Sequence, residues 1–251
     1  MPVAIVSYPP LASTPPTIRD VPTPRAFLFN KGGNMDIITA ILIDGGFYQR
    51  RAQSLFGVKT PEERVDELIR YVRHHLKKED HLYRIFYYDC PPSKDRIYHP
   101  LLKRQIDLSK TSEYQWMTQF HSLLMNQRKV ALRLGELSLN KTGYMLDPQA
   151  TKKLLAGTKQ ISDLTESDFR LSIEQKGVDM RIGIDIASMA YKKQVNRMVL
   201  ISGDSDFIPA AKLARREGVD FVLDSMGATI KDSLNKHIDG LTTHIKSVKT
   251  N

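Results

Sequence analysis

Two apolar runs that end in aspartate are the feature of this sequence that most constrains its fold. Ile37–Ile43 is followed directly by Asp44, and Met198–Ser202 leads through Gly203 to Asp204. A continuous apolar run of this length predicts a strand buried on both faces, and such strands occur in parallel sheets covered by helices. The sequence therefore predicts an α/β fold in which both aspartates lie where parallel strands end.

Helices and strands alternate along the chain after this first strand. The first predicted helix begins at Thr60-Pro61, and the later ones cover Glu113–Arg128, Val178–Lys193, Phe207–Glu217 and Ile230–His237. The further predicted strands are Leu82–Tyr88, Val130–Leu134 and Val219–Leu223. Asp44-Gly45-Gly46 is predicted to be a turn. Strands joined by helices imply right-handed crossovers, so helices cover both faces of the sheet in a three-layer α/β/α domain. Ligands of such domains bind beyond the carboxyl ends of the strands.

The chain divides into a leader and one domain. Residues 1–34 hold seven of the 13 prolines and show no periodicity, which predicts a disordered or loosely attached leader. Met35 comes just before the first strand, so we expect the domain to span residues 35–251 and interpret Met35 as a candidate start of translation. Residues 135–175 are predicted to be an insertion, with a β-hairpin formed by Leu137–Tyr144 and Phe169–Glu174.

Composition indicates a polyanionic partner. The formal net charge is +9, which favours nucleic acid because lysine and arginine contacts with phosphates release condensed counterions. Cys90 is the only cysteine, which excludes an internal disulfide and a four-cysteine zinc site, fits a reducing compartment and leads us to expect a cytoplasmic protein. No apolar run approaches the ~18 residues of a membrane span, so we expect no membrane association. The oligomeric state stays open, with a homo-oligomer among the alternatives.

Five aspartates are candidate site residues. Asp44, Asp204 and Asp206 follow the two apolar strands, and Asp179 and Asp185 lie in the helix that leads into the second of these strands. Clustered carboxylates repel one another unless a cation neutralises them. Hard divalent cations such as Mg²⁺ and Mn²⁺ take oxygen ligands, and can activate water and stabilise charge on a phosphodiester. The pattern therefore predicts metal-dependent hydrolysis of nucleic acid.

Three segments of the chain carry a family resemblance. They are Ile41–Gly46, Lys176–Asp179 followed by Asp185, and Leu200–Phe207, whose Ser-Gly-Asp-Ser-Asp-Phe run is the most specific. In order and in residue type they resemble the NYN domain, in its LabA-like branch, which belongs with the PIN-like nucleases. The resemblance covers roughly residues 36–241 and implies a PIN-like Rossmannoid fold with Mg²⁺- or Mn²⁺-dependent cleavage, of RNA more often than DNA.

The resemblance also implies residue roles. It implies that four aspartates bind the metal or orient metal-bound water, namely Asp44, Asp185, Asp204 and Asp206. It also implies that Asp179 is a further catalytic acid at the rim of the site and that Ser202 is a polar neighbour of the metal. Phe47 departs from the family pattern, since many members carry asparagine at this position. The amide that could hold a metal-bound water or a phosphate is therefore absent.

Basic residues near the acids are candidates for holding phosphates of the substrate. Lys176, three residues before Asp179, is the best placed, and Arg50 and Arg181 lie on neighbouring segments. Asp89 ends a predicted strand and is expected to line the substrate groove.

Two other interpretations stay open. The first is a catalytically silent RNA-binding or regulatory module with the same fold, which Phe47 favours and the retained acids disfavour. The second is another acid-rich α/β fold, such as a Toprim domain or a haloacid phosphatase. Such phosphatases need Asp-x-Asp on the first strand, where Asp44 is instead followed by Gly-Gly-Phe, and Toprim domains use glutamate at the first position.

A variant that begins at Met35 is expected to fold as stably as the full chain, because residues 1–34 offer little apolar surface to bury. Thermal unfolding followed by circular dichroism compares the two proteins. A marked fall in the Tm of the shortened protein would show that the leader packs against the domain.

Overall fold

The structure, a computed structural model, describes residues 37–246, apart from the side chains of residues 139–142. The expected leader, residues 1–34, lies outside the described residues, so its loose attachment stays a prediction. Within the described range, every helix is too short or too polar to cross a membrane.

The helices and strands follow the predicted alternation. The strands are β1 (Ile38–Asp44), β2 (His81–Asp89), β3 (Arg96–His99), β4 (Arg104–Asp107), β5 (Val130–Leu134), β6 (Glu136–Leu146), β7 (Phe169–Lys176), β8 (Arg197–Ile201), β9 (Asp220–Asp224) and β10 (Gly240–Leu241). The helices are α1 (Gly45–Phe56), α2 (Pro61–Arg73), α3 (Ser112–Met125), α4 (Pro148–Leu155), α5 (Val178–Tyr191), α6 (Ile208–Arg216) and α7 (Asp232–Asn235).

A parallel sheet of six strands, in the order β10-β9-β8-β1-β2-β5, forms the centre of the domain. In its middle, Ile43 of β1 lies beside Ile201 of β8 and Tyr87 of β2. Asp44 and the segment after Ile201 therefore leave the sheet at the same edge, where the carboxyl ends of the strands meet.

Helices cover both faces of this sheet. Ala40 and Leu42 of β1 pack in one core with α5 and α6, whereas Ile41 and Ile43 pack in a second core with α1, α2 and α3. All four side chains are fully buried, which is why Ala40–Ile43 is continuously apolar instead of alternating with polar residues. The predicted three-layer α/β/α fold is confirmed.

The segment after β1 differs from its prediction as a turn. Helix α1 begins directly at Gly45, and Asp44 caps it by accepting a hydrogen bond from the backbone N–H of Phe47 at 3.0 Å. Glycines are poor helix formers, so the Gly-Gly pair suggested a turn. Close packing explains the first of them, because a methyl group on Gly45 would lie 2.5 Å from the carbonyl oxygen of Tyr88.

Two hairpins stand outside the central sheet. In the predicted hairpin, β6 and β7 pair antiparallel, with Leu137 opposite Gln175 and Tyr144 opposite Leu171, and this pairing is confirmed. The β3–β4 hairpin was not predicted, because its short strands carry little apolar alternation. The last predicted helix, Ile230–His237, is shorter in the structure, where it covers only the residues of α7.

A buried network holds the end of β9 in place. The hydroxyl of Tyr71 donates to Asp224 Oδ2 at 2.5 Å, and His75 Nε2 lies 2.9 Å from the same oxygen. The backbone carbonyl of Asp224 accepts from the N–H of Ser202 at 3.2 Å. This last bond carries the pairing of β8 and β9 one residue past Ile201, to the position where the site begins.

Gly45→Ala should destabilise the fold by about 1–3 kcal/mol, the usual cost of overpacking a core, because its methyl group would overlap the Tyr88 carbonyl. Gly183→Ala is the matched control. Gly183 lies in α5 with nothing within 4 Å of an added methyl group, so alanine should gain up to about 1 kcal/mol from helix propensity. Urea unfolding measures both free energies, and equal values for the two variants would contradict this packing argument.

Candidate active site

Asp44 and Ser202 join β1 to the end of β8. Asp44 Oδ1 accepts the N–H of Phe47, and Asp44 Oδ2 accepts the Ser202 hydroxyl at 3.2 Å. The Ser202 oxygen in turn accepts the N–H of Asp204 at 3.3 Å. Ser202 is fully buried, so one hydroxyl holds the Asp44 carboxylate and the start of the next loop in a single arrangement.

The loop after β8 carries two more acids. Asp204 caps a short 3₁₀ turn, Ser205–Phe207, by accepting the N–H of Asp206 at 3.0 Å. Both aspartates are exposed. Lys231 donates to the Ser205 hydroxyl at 3.1 Å and places a positive charge beside this loop.

Asp179 completes the group of acids from a third segment. It lies in the first turn of α5, after Gly177, whose φ of +77° falls in the left-handed region that favours glycine. Burial raises the pKa of Asp179, and the charges of three other aspartates raise it further; they are Asp44, Asp204 and Asp206. The structure therefore brings these four carboxylates to one edge of the sheet.

The carboxyl of Asp44, like that of Asp179, is affected by burial and by the charge of a neighbouring acid. Burial raises the pKa of its carboxyl above the ordinary value, and the charge of Asp204 adds to this effect. The hydrogen bonds from Phe47 and Ser202 and the charge of Arg50 oppose it. The balance is a partly buried carboxylate that lacks enough positive charge around it, which is the condition that a bound cation relieves.

Asp185 has different partners. Its Oδ2 accepts the Tyr88 hydroxyl at 2.8 Å and lies 3.1 Å from Arg133 Nε. Burial raises the pKa of Tyr88 far above its ordinary value, and the charge of Asp185 contributes to this rise. These contacts tie Asp185 to β2 and β5, while the charges that act on Asp179 come from the other three acids.

The predicted substrate contacts fall into two groups. Lys176 and Arg181 are exposed on either side of Gly177, beside the start of α5. Asp89 is buried, with Oδ2 2.9 Å from His121 Nε2 and Oδ1 accepting the N–H of Cys90 at 2.8 Å. Asp89 therefore has a structural role, joining the end of β2 to α3.

Sequence reasoning missed two residues at this edge. A methyl group on Gly46 would lie 3.2 Å from Gln175 Oε1, 3.4 Å from Arg50 Nη1 and 3.6 Å from Asp44 Oδ1. Gln175 thus reaches the acids from the inserted hairpin, and its place next to Lys176 was the only available signal. Tyr88 ends the predicted strand Leu82–Tyr88, and no local pattern indicates its hydrogen bond to Asp185.

The donor set fits a hard divalent cation. Carboxylate and hydroxyl oxygens are the ligands that Mg²⁺ and Mn²⁺ prefer. Within residues 37–246, no three acidic, histidine or cysteine side chains converge closely enough to hold an ion by themselves. Mg²⁺ commonly keeps several waters and is bound through one or two carboxylates, so Asp44 with Asp204 or Asp179 is a sufficient set.

A parallel three-layer α/β/α domain with acids at the carboxyl edge of its sheet is consistent with a PIN-like fold. Comparison with protein families agrees, because residues 125–243 match the family model of the NYN domain. This segment is an NYN domain, a member of the PIN-like nuclease superfamily, and the predicted family is confirmed. The matched segment contains Asp179, Asp204 and Asp206, while Asp44 precedes it.

Other comparisons add little. No curated protein matches the sequence. Among solved structures, the chain is similar to a protein of unknown function from Vibrio parahaemolyticus, with 14% sequence identity and a TM-score of 0.46. The alignment covers 82% of this chain and 92% of that chain.

Asp44→Asn should stabilise the metal-free protein at pH 7, since asparagine caps a helix as well as aspartate does and removes a poorly compensated charge. The pKa of Asp44 is raised on folding. The contribution of Asp44 to the free energy of unfolding is therefore complete below the ordinary pKa of about 3.9, and it is lost as the pH rises through the folded-state pKa. The advantage of the variant should grow from pH 4 to pH 7.

Asp147→Asn provides the matched control, because Asp147 caps α4 in the same way, with Gln149 N–H at 2.8 Å, away from the acids. Urea unfolding in EDTA across this pH range measures both variants. An equal response of the two, or a loss of stability in Asp44→Asn at pH 7, would show that the Asp44 charge is fully compensated without a cation.

Proposed function

We propose that this protein is a divalent-metal-dependent endoribonuclease that hydrolyses RNA phosphodiesters. The observation that carries the proposal is that Asp44, Asp179, Asp204 and Asp206, from three separate segments, lie at the carboxyl edge of an NYN-type sheet, where the charges of the other three act on Asp179. Unrelated turn or capping residues would not place four like charges at one edge, because their repulsion costs stability.

Asp44 and Asp204 are the principal candidates to hold Mg²⁺ or Mn²⁺, with Asp179 closing the rim and Asp206 contributing charge. When bound, the cation would supply activation of water and stabilisation of the charge that develops on the phosphodiester. The buried Ser202 hydroxyl holds Asp44 and the Asp204 loop in register. Its contribution is to fix the Asp44 carboxylate relative to the backbone of Asp204.

Asp185 is proposed as a positioning residue instead of a direct ligand. Its hydrogen bond with Tyr88 and its ion pair with Arg133 fasten α5 to β2 and β5. Because Asp179 lies earlier in the same helix, these contacts set where Asp179 stands relative to the other acids. Residues that orient a ligand from behind commonly affect metal binding or activity by about 10–100-fold.

Lys176, Arg181 and Arg50 are proposed to hold the phosphates on either side of the cleaved bond. Each is exposed and comes from a segment that borders the acids, and the net charge of +9 favours a polyanion. The preference for RNA over DNA and the LabA-like branch rest on the motif resemblance. A cytoplasmic location rests on the single cysteine, and a homo-oligomer remains compatible with the sequence.

A catalytically silent RNA-binding module is the second candidate. Phe47 favours it, because the aromatic ring stands where many family members carry asparagine and packs on the backbone after Ser202. A methyl group on Gly203 would lie 2.8 Å from the Phe47 ring. The position that could supply an amide to water or phosphate is thus filled by an apolar contact.

Asp204→Asn should abolish cleavage of RNA while leaving RNA binding intact or slightly tighter, because binding depends on lysine and arginine contacts with phosphates. Asp185→Asn should reduce the rate only about tenfold and should leave the half-saturating Mn²⁺ concentration unchanged. The measurement is cleavage of fluorescent RNA and DNA oligonucleotides in Mn²⁺, Mg²⁺ or EDTA, with binding followed by anisotropy.

Asp66→Asn, an exposed aspartate on α2, is the matched control and should cleave like the original protein. Activity of Asp204→Asn at the original rate would refute the metal site, and activity in EDTA would reveal a contaminating ribonuclease. RNA binding without cleavage under any metal would establish the silent module. A higher Mn²⁺ requirement in Asp185→Asn would make Asp185 a ligand.

A further inference from the structure

A cavity of about 500 Å³ opens beside the acids. It lies between the end of β2, the start of α3 and the β6–β7 hairpin. Its lining residues include Arg50, Asp89, Pro91, Tyr114, Leu171 and Gln175. Pockets for small organic ligands typically measure about 300–1,000 Å³, so this space can hold one nucleoside but not a stack of several.

Arg50 and Gln175 connect the cavity to the acids. Both residues line the cavity, and both approach the position that a methyl group on Gly46 would take, as Asp44 Oδ1 also does at 3.6 Å. A strand whose phosphate lies beside Asp44 can therefore place a neighbouring base in the cavity. Arg50 stands at the junction, where its guanidinium can contact the phosphate between them.

The walls of the cavity suit a planar, partly polar ligand. Leu137, Leu171 and Pro91 supply apolar surface, and Tyr114 supplies an aromatic ring on which a base can stack. Glu113, in the first turn of α3, adds a carboxylate that can accept a hydrogen bond from the edge of a base.

The floor of the cavity is rigid. Asp89 is held on one side by His121 and on the other by the backbone of Cys90, and all three residues are buried. Burial and the neighbouring charge of Asp89 raise the pKa of the Cys90 thiol to about 11, so the thiol stays protonated at neutral pH. These groups shape the cavity and perform no chemistry of their own.

We infer that this cavity binds one unpaired base of the substrate strand, next to the phosphodiester at the acids. The inference rests on the proposed function and adds a binding site for one base, formed by the β6–β7 hairpin, the end of β2 and the start of α3. A base inside a duplex keeps its stacking and pairing partners and cannot enter the cavity without being extruded, which costs a few kcal/mol. The cavity therefore selects loops, ends and unpaired segments.

Binding of nucleotides in EDTA tests the cavity without catalysis. AMP and CMP are compared with ribose 5-phosphate by NMR titration, using the original protein, Leu171→Trp to fill the cavity, and Leu155→Trp as the matched control. Leu155 is 85% exposed on α4 and does not line the cavity. AMP or CMP should bind roughly tenfold more tightly than ribose 5-phosphate, the size expected for base stacking, and only Leu171→Trp should lose this difference.

Cleavage in Mn²⁺ provides the second measurement. Single-stranded RNA should be cut faster than the matching duplex, and Leu171→Trp should remove most of that advantage while Leu155→Trp retains it. Ile173→Trp, which enters the cavity from the 38% exposed Ile173 on the hairpin, replaces Leu171→Trp if thermal unfolding shows that the latter does not fold.

The outcomes separate this inference from the proposed function. Nucleotide binding that Leu171→Trp abolishes, in a protein that cuts nothing, supports the cavity and refutes the nuclease. Equal binding of AMP, CMP and ribose 5-phosphate overturns the cavity. Equal cutting of duplex and single strand, unaffected by Leu171→Trp, also overturns it and leaves the nuclease intact.

Discussion

Repulsion among the carboxylates at the carboxyl edge is the constraint around which the domain is arranged. Parallel strands all end at one edge, so the acids that follow β1 and β8 must come together there. Asp179 approaches them from the start of α5, and burial with the neighbouring charges raises its pKa. Four like charges near one another are stable only with counter-charge nearby, and this makes the edge suited to binding a cation.

The domain compensates this repulsion only in part. Ser202 and the N–H of Phe47 bond to Asp44, and Arg50 adds a positive charge, yet burial still raises the pKa of Asp44. Asp185, by contrast, is matched by Arg133 and by the Tyr88 hydroxyl. The fold thus pairs the acid that fastens α5 to the sheet and leaves the acids at the rim short of positive charge.

The inserted hairpin gives the site its shape. Without β6 and β7, the acids would stand on an open edge of the sheet, since Gln175, Leu171 and Leu137 all come from this hairpin. Its last residues lead directly into α5, with Gly177 in a left-handed conformation at the junction. The same segment therefore builds one wall of the cavity and delivers Asp179 to the acids.

Local patterns in the sequence determined the layered architecture and the edge at which the site lies. Apolar runs such as Ile37–Ile43 indicate strands buried on both faces, and helical periodicity between such runs indicates the crossover helices that connect them. The acids at Asp44 and Asp204 could be placed because a strand end is a local feature. The β6–β7 pairing was also predictable, since each strand is delimited by its neighbouring breaks.

Tertiary packing decided the rest. That Asp185 pairs with Tyr88 and Arg133, which lie 97 and 52 positions away, depends on how α5 is rotated against the sheet. The start of α1 at Gly45 depends on the approach of the Tyr88 backbone. The cavity depends on where the hairpin docks relative to α3. The sequence alone could give the edge and its acids but not their partners, because each of these arrangements is set by contacts between distant segments, and residue type and spacing do not encode their geometry.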